Sequence, residues 1–503
     1  MTPPGAPRFK PQRRALDLVE RLAQGLAKNG IAYCHWKSNE SVDRAVAGEG
    51  DLDLLVSRRD GRRFEELLHG LGFRMAQAPA TKELPGVFNA YGFDEASGRL
   101  IHIHAHYQLV VGDDMTKNYR LPIEEPYLAS ATQGEWLKIP APEFELTVFL
   151  IRMTLKHAAW DAILSFRGRL TASEWRELVD LSARADLGRM HALAAEHLPF
   201  VKPALWDDCL RAAQSGSPTW LRVRTAVRLE RSLSAHARRS YWRDVSLKLW
   251  RRTRTVVHRR LAGKSASRKT PERGGLLVAL VGGDGAGKTT AVEGLSAWLA
   301  RHFQLVNVHL GKPRRSVLGA FAQRVWDAGR PRRRAAGART AGASALADSS
   351  RTGRLNLRAL ARLVREVMKA RDRCREYARA RRRADRGAIV ICDRFPLPQL
   401  TLMDAPVSSR FAPHENRLAR FLTGLESHYY GQILYPDVLI VLKVDPAIPV
   451  RRKADVEAAD HVQPRSEEIW RADWDATPAL VVDAGRPADE VLAEIKSLVW
   501  ARI

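Results

Sequence analysis

Two short segments hold the residue types that could do chemistry. The first is Gly282-Gly283-Asp284-Gly285-Ala286-Gly287-Lys288-Thr289, followed by Thr290. Its glycines allow backbone conformations that a Cβ obstructs, so successive N–H groups can wrap an anion. The apolar run Leu276 to Val281 precedes it, and an amphipathic pattern from Thr289 to Phe303 follows. A helix N-terminus would then face whatever the loop holds, with its partial positive charge. Lys288 should reach the β- and γ-phosphates of a nucleotide, and Thr289 should ligate Mg²⁺ through its hydroxyl. Gly282 to Thr290 are therefore the expected ATP-binding residues. A glycine-rich turn without a ligand is the plain alternative; the full pattern, placed between a strand and a helix, weighs against it.

The second segment is Gly50-Asp51-Leu52-Asp53-Leu54-Leu55-Val56. Alternation along a strand puts Asp51 and Asp53 on one face. Two carboxylates at that spacing can hold Mg²⁺ against a nucleoside triphosphate. Further on, His102-Ile103-His104-Ala105-His106 places three histidines on one face of a strand, where they could bind a metal. The plain alternative is an acidic pair on a surface strand with core histidines.

Other elements must position these residues. The chain has 503 residues, enough for two to four domains, and its hydrophobic fraction of 45% suits cores of normal size. A helical pattern over Pro11 to Lys28 ends at Asn29-Gly30. Strands are expected at Ile31 to Trp36, Asp51 to Val56 and Arg99 to Gln108, with helices at Phe64 to Gly70 and from about Pro140 to Ala235. Residues 11–235 thus form a small α/β domain with a helical extension. Residues 236–274 are a basic linker in which Trp242, Val245, Leu249 and Val256 could line one helix face, packed on a domain or lying on an anionic surface. From residue 275 to 503 strand and helix alternate: strands at Leu276 to Val281, Leu305 to Leu310, Ala388 to Cys392, Val438 to Val444 and Leu480 to Asp483. That alternation predicts an α/β fold with a doubly wound parallel sheet. Within it, residues 329–353 are rich in Arg, Ala, Gly and Ser and are expected to be a disordered basic insertion.

Charge and cysteine narrow the class. Lys plus Arg total 82 against 56 acidic residues, a formal net charge of +26. The excess implies anionic partners: nucleotides, nucleic acid or an anionic membrane face. Cys34, Cys209, Cys374 and Cys392 show neither disulfide nor zinc spacing, so free thiols in a reducing cytoplasm are expected. No apolar run approaches the ~20 residues of a membrane span. A homodimer is an open arrangement.

The phosphate loop resembles that of thymidylate kinases. So do Asp393-Arg394-Phe395 after a strand, and Pro436-Asp437-Val438 leading to Val444-Asp445-Pro446, with Arg452 beyond. The resemblance covers Leu276 to Ile503. It implies a kinase using ATP and Mg²⁺, with Asp284 contacting the acceptor and Asp393 organising the metal. It implies that Arg394 holds an acceptor phosphate and that Arg373 and its neighbour Arg371 reach the acceptor. A catalytic arginine would come from the lid, where Arg452 and Arg465 are the candidates. Two features depart from the family: His309-Leu310-Gly311-Lys312-Pro313 replaces an Arg-Glu-Pro-Gly segment, and Pro396-Leu397-Pro398 stands where thymine-binding residues belong. The acceptor expected is a nucleoside monophosphate such as dTMP, with a sugar or another small molecule as the alternative.

The Asp51/Asp53 strand resembles the nucleotidyltransferase superfamily, with Trp36-Lys37-Ser38-Asn39-Glu40 in the place of its Gly-Ser turn. That resemblance implies a third carboxylate from a later strand. The histidine strand supplies none, and Asp94 and Asp113 only flank it. Three functions stay open: a kinase, a bifunctional kinase and nucleotidyltransferase, and a non-enzymatic nucleotide-dependent binder of anionic surfaces.

Overall fold

Continuous apolar runs and alternating ones decide where the strands lie. The computed structural model describes residues 14–80, 82–84, 86–157, 169–262, 268–311, 313, 357–403, 405–406, 416–448 and 459–503. They divide into two units, Met1–Glu272 and Arg273–Ile503. The expected insertion 329–353 and Arg451 and Arg452 lie outside the described residues.

The first unit holds a six-stranded sheet. Its strands are β1 (Tyr33–His35), β2 (Asp51–Val56), β3 (Arg74–Gln77), β4 (Val87–Asp94), β5 (Arg99–His106) and a late strand, Thr270–Pro271. Two small hairpins intervene, β6 (Leu109–Val111) with β7 (Tyr119–Leu121) and β8 (Thr132–Gln133) with β9 (Lys138–Ile139), so the late strand is β10. The order is β1-β2-β5-β4-β3-β10. β2 and β5 run parallel with Asp51 opposite His102 and Asp53 opposite His104. Leu52 and Leu54 are fully buried on one face, while Asp51 and Asp53 project from the other, where Leu55 beyond them is buried in a separate core. Helix Asp17–Lys28 packs Leu18, Val19, Leu22 and Leu26 into the same core. A second core gathers around helix Pro142–His157, whose residues are buried nearly all round.

The stretch expected as a linker belongs to this unit through residue 272. Helix Tyr241–Ala262 is held by Arg252, 2.9 Å from Asp113, and by Arg251, which donates to the Met115 carbonyl at 2.6 Å. The apolar residues do not supply its packed face. Asp244, Lys248 and Arg251 are buried, while Trp242, Leu249 and Val256 are exposed. The basic residues have carbonyl and carboxylate partners to face, so they turn inward.

In the second unit, β11 (Leu276–Gly282), β12 (Leu305–His309), β13 (Ile389–Asp393), β14 (Val438–Lys443) and β15 (Ala479–Asp483) form a parallel sheet. The order is β12-β13-β11-β14-β15. β11 is buried along its whole length, which explains its unbroken apolar run. Strand order reverses at β11, the point at which open α/β sheets take ligands beyond the carboxyl ends of their strands. No helix among the described residues is long and apolar enough to cross a membrane.

Candidate functional site

The phosphate loop leaves β11 and enters helix Lys288–Leu299. Gly285 and Gly287 stand at φ 89° and 83°, in the left-handed region that glycine reaches without strain. Gly287 is the residue before the helix, so its conformation turns the chain into the first helical N–H groups. Gly283 has a different reason to be glycine: an added Cβ would lie 2.6 Å from Ser466 Oγ. Lys288 is buried, and its ammonium donates to the Gly282 and Gly283 carbonyls at 2.8 and 2.6 Å. The charge is thereby folded over the loop that would hold phosphate. Thr289 and Thr290 are exposed at the helix start.

Two arginines converge on Asp284. Arg394, at the end of β13, lies 3.1 Å from Asp284 Oδ1, and Arg465, on helix Ala459–Arg471, lies 2.8 Å from Oδ2. Burial raises the carboxyl pKa of Asp284. The Arg465 hydrogen bond and the charges of Lys288, Arg394 and Arg465 outweigh it and hold the group below its ordinary value. Arg394 itself has φ 57°, costly for a residue with a Cβ. Gly311 makes room for it, since a Cβ there would meet Arg394 Cδ at 2.8 Å. Asp393 Oδ1 is buried with no hydrogen-bond partner among the described residues. Together with the exposed Thr289 hydroxyl, that orphaned carboxylate oxygen fits the donor set a Mg²⁺ ion takes.

Of the expected residues, the structure brings together Lys288, Asp284, Arg394 and Arg465, and sets Asp393 at the end of the adjoining strand. Arg373, which the resemblance implies reaches the acceptor, has protein partners here. That guanidinium is buried and donates to the Leu310 carbonyl at 2.8 Å, the Gly311 carbonyl at 3.4 Å and the Tyr430 hydroxyl. Its position ties the end of β12 to helices Leu357–Asp385 and Arg417–Gly431. Ser466, which meets the loop at Gly283, had no sequence signal.

In the first unit each acid meets a histidine. His102 Nδ1 lies 2.6 Å from Asp51 Oδ1, and His104 Nδ1 lies 3.0 Å from Asp53 Oδ1. Lys37 reaches the same Asp53 oxygen at 2.8 Å. Burial raises the Asp53 pKa, but the Lys37 charge and the His104 hydrogen bond hold it well below the usual carboxylate range. Burial keeps the His106 ring well below the usual imidazole range. Lys269 closes the site from far along the chain, 2.9 Å from the Tyr91 hydroxyl and 3.2 Å from His102 Nε2. The two flanking acids face elsewhere: Asp94 accepts from Leu18 N and Ser97, and Asp113 pairs with Arg252. The four cysteines are free and buried, and burial pushes the Cys209 and Cys392 thiols up to about 12.

No protein-family model matches the chain. An uncharacterized ATP-binding protein, YghR, of Escherichia coli (strain K12) is 25% identical over 238 residues, 44% of this chain and 86% of the relative. Its counterpart in Escherichia coli O6:H1 gives the same values. The solved structure of thymidylate kinase from Candida albicans is 15% identical, covering 45% of this chain and 92% of that one at a TM-score of 0.28.

Proposed function

We propose that the second unit transfers the γ-phosphoryl group of ATP to a small acceptor, foremost a nucleoside monophosphate such as dTMP. The observation that carries this reading is the meeting of Lys288, Arg394 and Arg465 around Asp284 at the phosphate loop. The relative's description as ATP-binding supports ATP as the donor.

Loop N–H groups and the start of helix Lys288–Leu299 would hold the β- and γ-phosphates, with Lys288 swinging from the loop carbonyls onto their oxygens. Thr289 and Asp393 would hold Mg²⁺, which would neutralise phosphate charge when bound. The acceptor oxygen attacks the γ-phosphorus as the bond to the β–γ bridging oxygen breaks. Arg394 suits an acceptor phosphate because its planar guanidinium forms paired hydrogen bonds. Arg465 would stabilise charge on the transferring group, a contribution of roughly 10²–10³ in rate for comparable preorganised donors.

The test incubates the full chain with γ-labelled ATP, Mg²⁺ and two panels, nucleoside monophosphates and sugars with their phosphates. Label is expected in a nucleoside diphosphate product, and Lys288→Ala is expected to abolish it. Label in a sugar panel would move the assignment to the alternative acceptor. No labelled acceptor in either panel, with ATP turnover unchanged in Lys288→Ala, would remove the kinase reading.

A further inference from the structure

We propose that Asp53, His104 and His106 form a binding site for a divalent transition-metal ion in the first unit. One oxygen of Asp53 and one nitrogen from each histidine all lie within 4.8 Å of one another. His104 Nδ1 stands 3.0 Å from Asp53 Oδ1 and 3.3 Å from His106 Nε2. Ligand atoms about 2.05 Å from one metal sit about 2.9 Å apart in octahedral geometry and about 3.3 Å apart in tetrahedral geometry. Both observed spacings fall in that range.

Hydrogen bonding alone serves this arrangement badly. His104 Nδ1 carries at most one proton. With the proton present it has one hydrogen for two acceptors. Without it, His104 can accept from His106 Nε2, but its lone pair then confronts the Asp53 carboxylate. No proton assignment makes both contacts direct hydrogen bonds, whereas one cation takes all three lone pairs at once. Among the described residues His106 Nδ1 is buried without a hydrogen-bond partner, so the ring's tautomer follows whatever meets Nε2.

The surroundings hold the ligands in place. β2 and β5 are adjacent parallel strands with Asp53 and His104 in register, so the backbone fixes two of the three donors. His106 is buried, and its ring packs edge-on to Trp36 at 5.0 Å. Two imidazoles and a carboxylate suit zinc, iron or cobalt rather than magnesium, whose preference is for oxygen. Three protein ligands also leave a coordination position open for water or an anionic oxygen. Lys37 and Arg152, each over the face of Trp36, put positive charge beside it. Asp51 is not in the cluster; its partner is His102. Lys37 is the competitor, because its ammonium already neutralises Asp53.

The experiment strips the full chain with a chelator and titrates it with Zn²⁺ against a chromophoric indicator. Co²⁺ is titrated in parallel and followed by visible absorption. One equivalent of each is expected to bind. Affinity should fall about 100-fold or more in Asp53→Asn and His104→Gln, since even supporting residues of metal sites contribute 10–100-fold. His104 carries the test because it is partly exposed, whereas replacing buried His106 can unfold the unit. Circular dichroism and a retained melting transition confirm that each variant is folded. Lys37→Gln should bind at least as tightly as the parent. Absence of stoichiometric binding, or binding unchanged in both ligand variants, overturns the site. The outcome does not depend on the phosphoryl-transfer reading.

Discussion

Replacing Asp284 by asparagine tests whether its carboxylate positions both arginines. The contacts are 3.1 Å to Arg394 and 2.8 Å to Arg465, with the carboxylate side chain 13% exposed and the arginines 31% and 36% exposed. Fully buried pairs of this kind would be worth several kcal/mol, but at this exposure solvent screening reduces each to about 0.5–1 kcal/mol. Losing both removes about 1–2 kcal/mol of positioning, which corresponds to roughly a 5- to 30-fold fall in turnover. ATP affinity should change less than about threefold, because the loop N–H groups and Lys288 are untouched. The assay needs no acceptor: slow hydrolysis of ATP, followed as phosphate release, reports the same charge stabilisation. Arg465→Ala should fall further, and the Asp284→Asn/Arg465→Ala double variant should fall by less than the product of the two, since they share a contact. Full additivity, or an Asp284→Asn variant with parental turnover, would refute the role.

Three other outcomes follow from the geometry. Burial and the charge of Glu177 raise the pKa of Glu145 to about 7, above the ordinary 4.5, so the folded state binds its proton more tightly than the unfolded chain. Stability from this group is therefore complete below pH 4.5 and declines as pH rises through 7. Glu145→Gln should be more stable than the parent by about 3 kcal/mol at pH 8 and nearly equal to it near pH 4.5, measured by melting at both pH values. Gly283→Ala should destabilise the second unit by about 1–3 kcal/mol, because its Cβ would lie 2.6 Å from Ser466 Oγ and 3.2 Å from Ser466 Cα. Adding Ser466→Ala should recover part of that loss, and no recovery would mean the strain lies elsewhere. Arg373→Lys should lower the melting temperature, by the equivalent of about 2 kcal/mol, with ATP affinity retained, because an ammonium cannot span the Leu310, Gly311 and Tyr430 partners. A changed acceptor KM at unchanged stability would instead return Arg373 to the acceptor site.

The phosphate loop and most strands were legible because their signals are local. The apolar run of β11 and the alternation of β2 each occupy a few consecutive residues. The short strands β6 to β10 carry no such signal, and neither do β3 and β4: β4 contains Asn89 and Gly92, both poor strand formers. Gly92 is there because Leu18 and Phe73 pack so close that a Cβ would lie 2.6 and 2.7 Å from them. The partners of Asp51 and Asp53 depend on the pairing of β2 with β5, which no local pattern encodes. Lys269 enters the same site from the end of the unit. Arg373 shows the converse. The resemblance implies an acceptor contact for it, and no local pattern announces that it also clamps three elements together.

The left-handed backbone at Arg394 sets selection for folding against selection for chemistry. At φ 57° a glycine or asparagine would relieve about 1–2 kcal/mol of local strain, and the space at Gly311 would no longer be needed. A library of variants screened only for heat resistance should therefore drift away from arginine at this position, while one screened for turnover should retain it. The two enrichment profiles, compared at positions 311 and 394, would record how much robustness the molecule forgoes to aim one guanidinium at its phosphate loop.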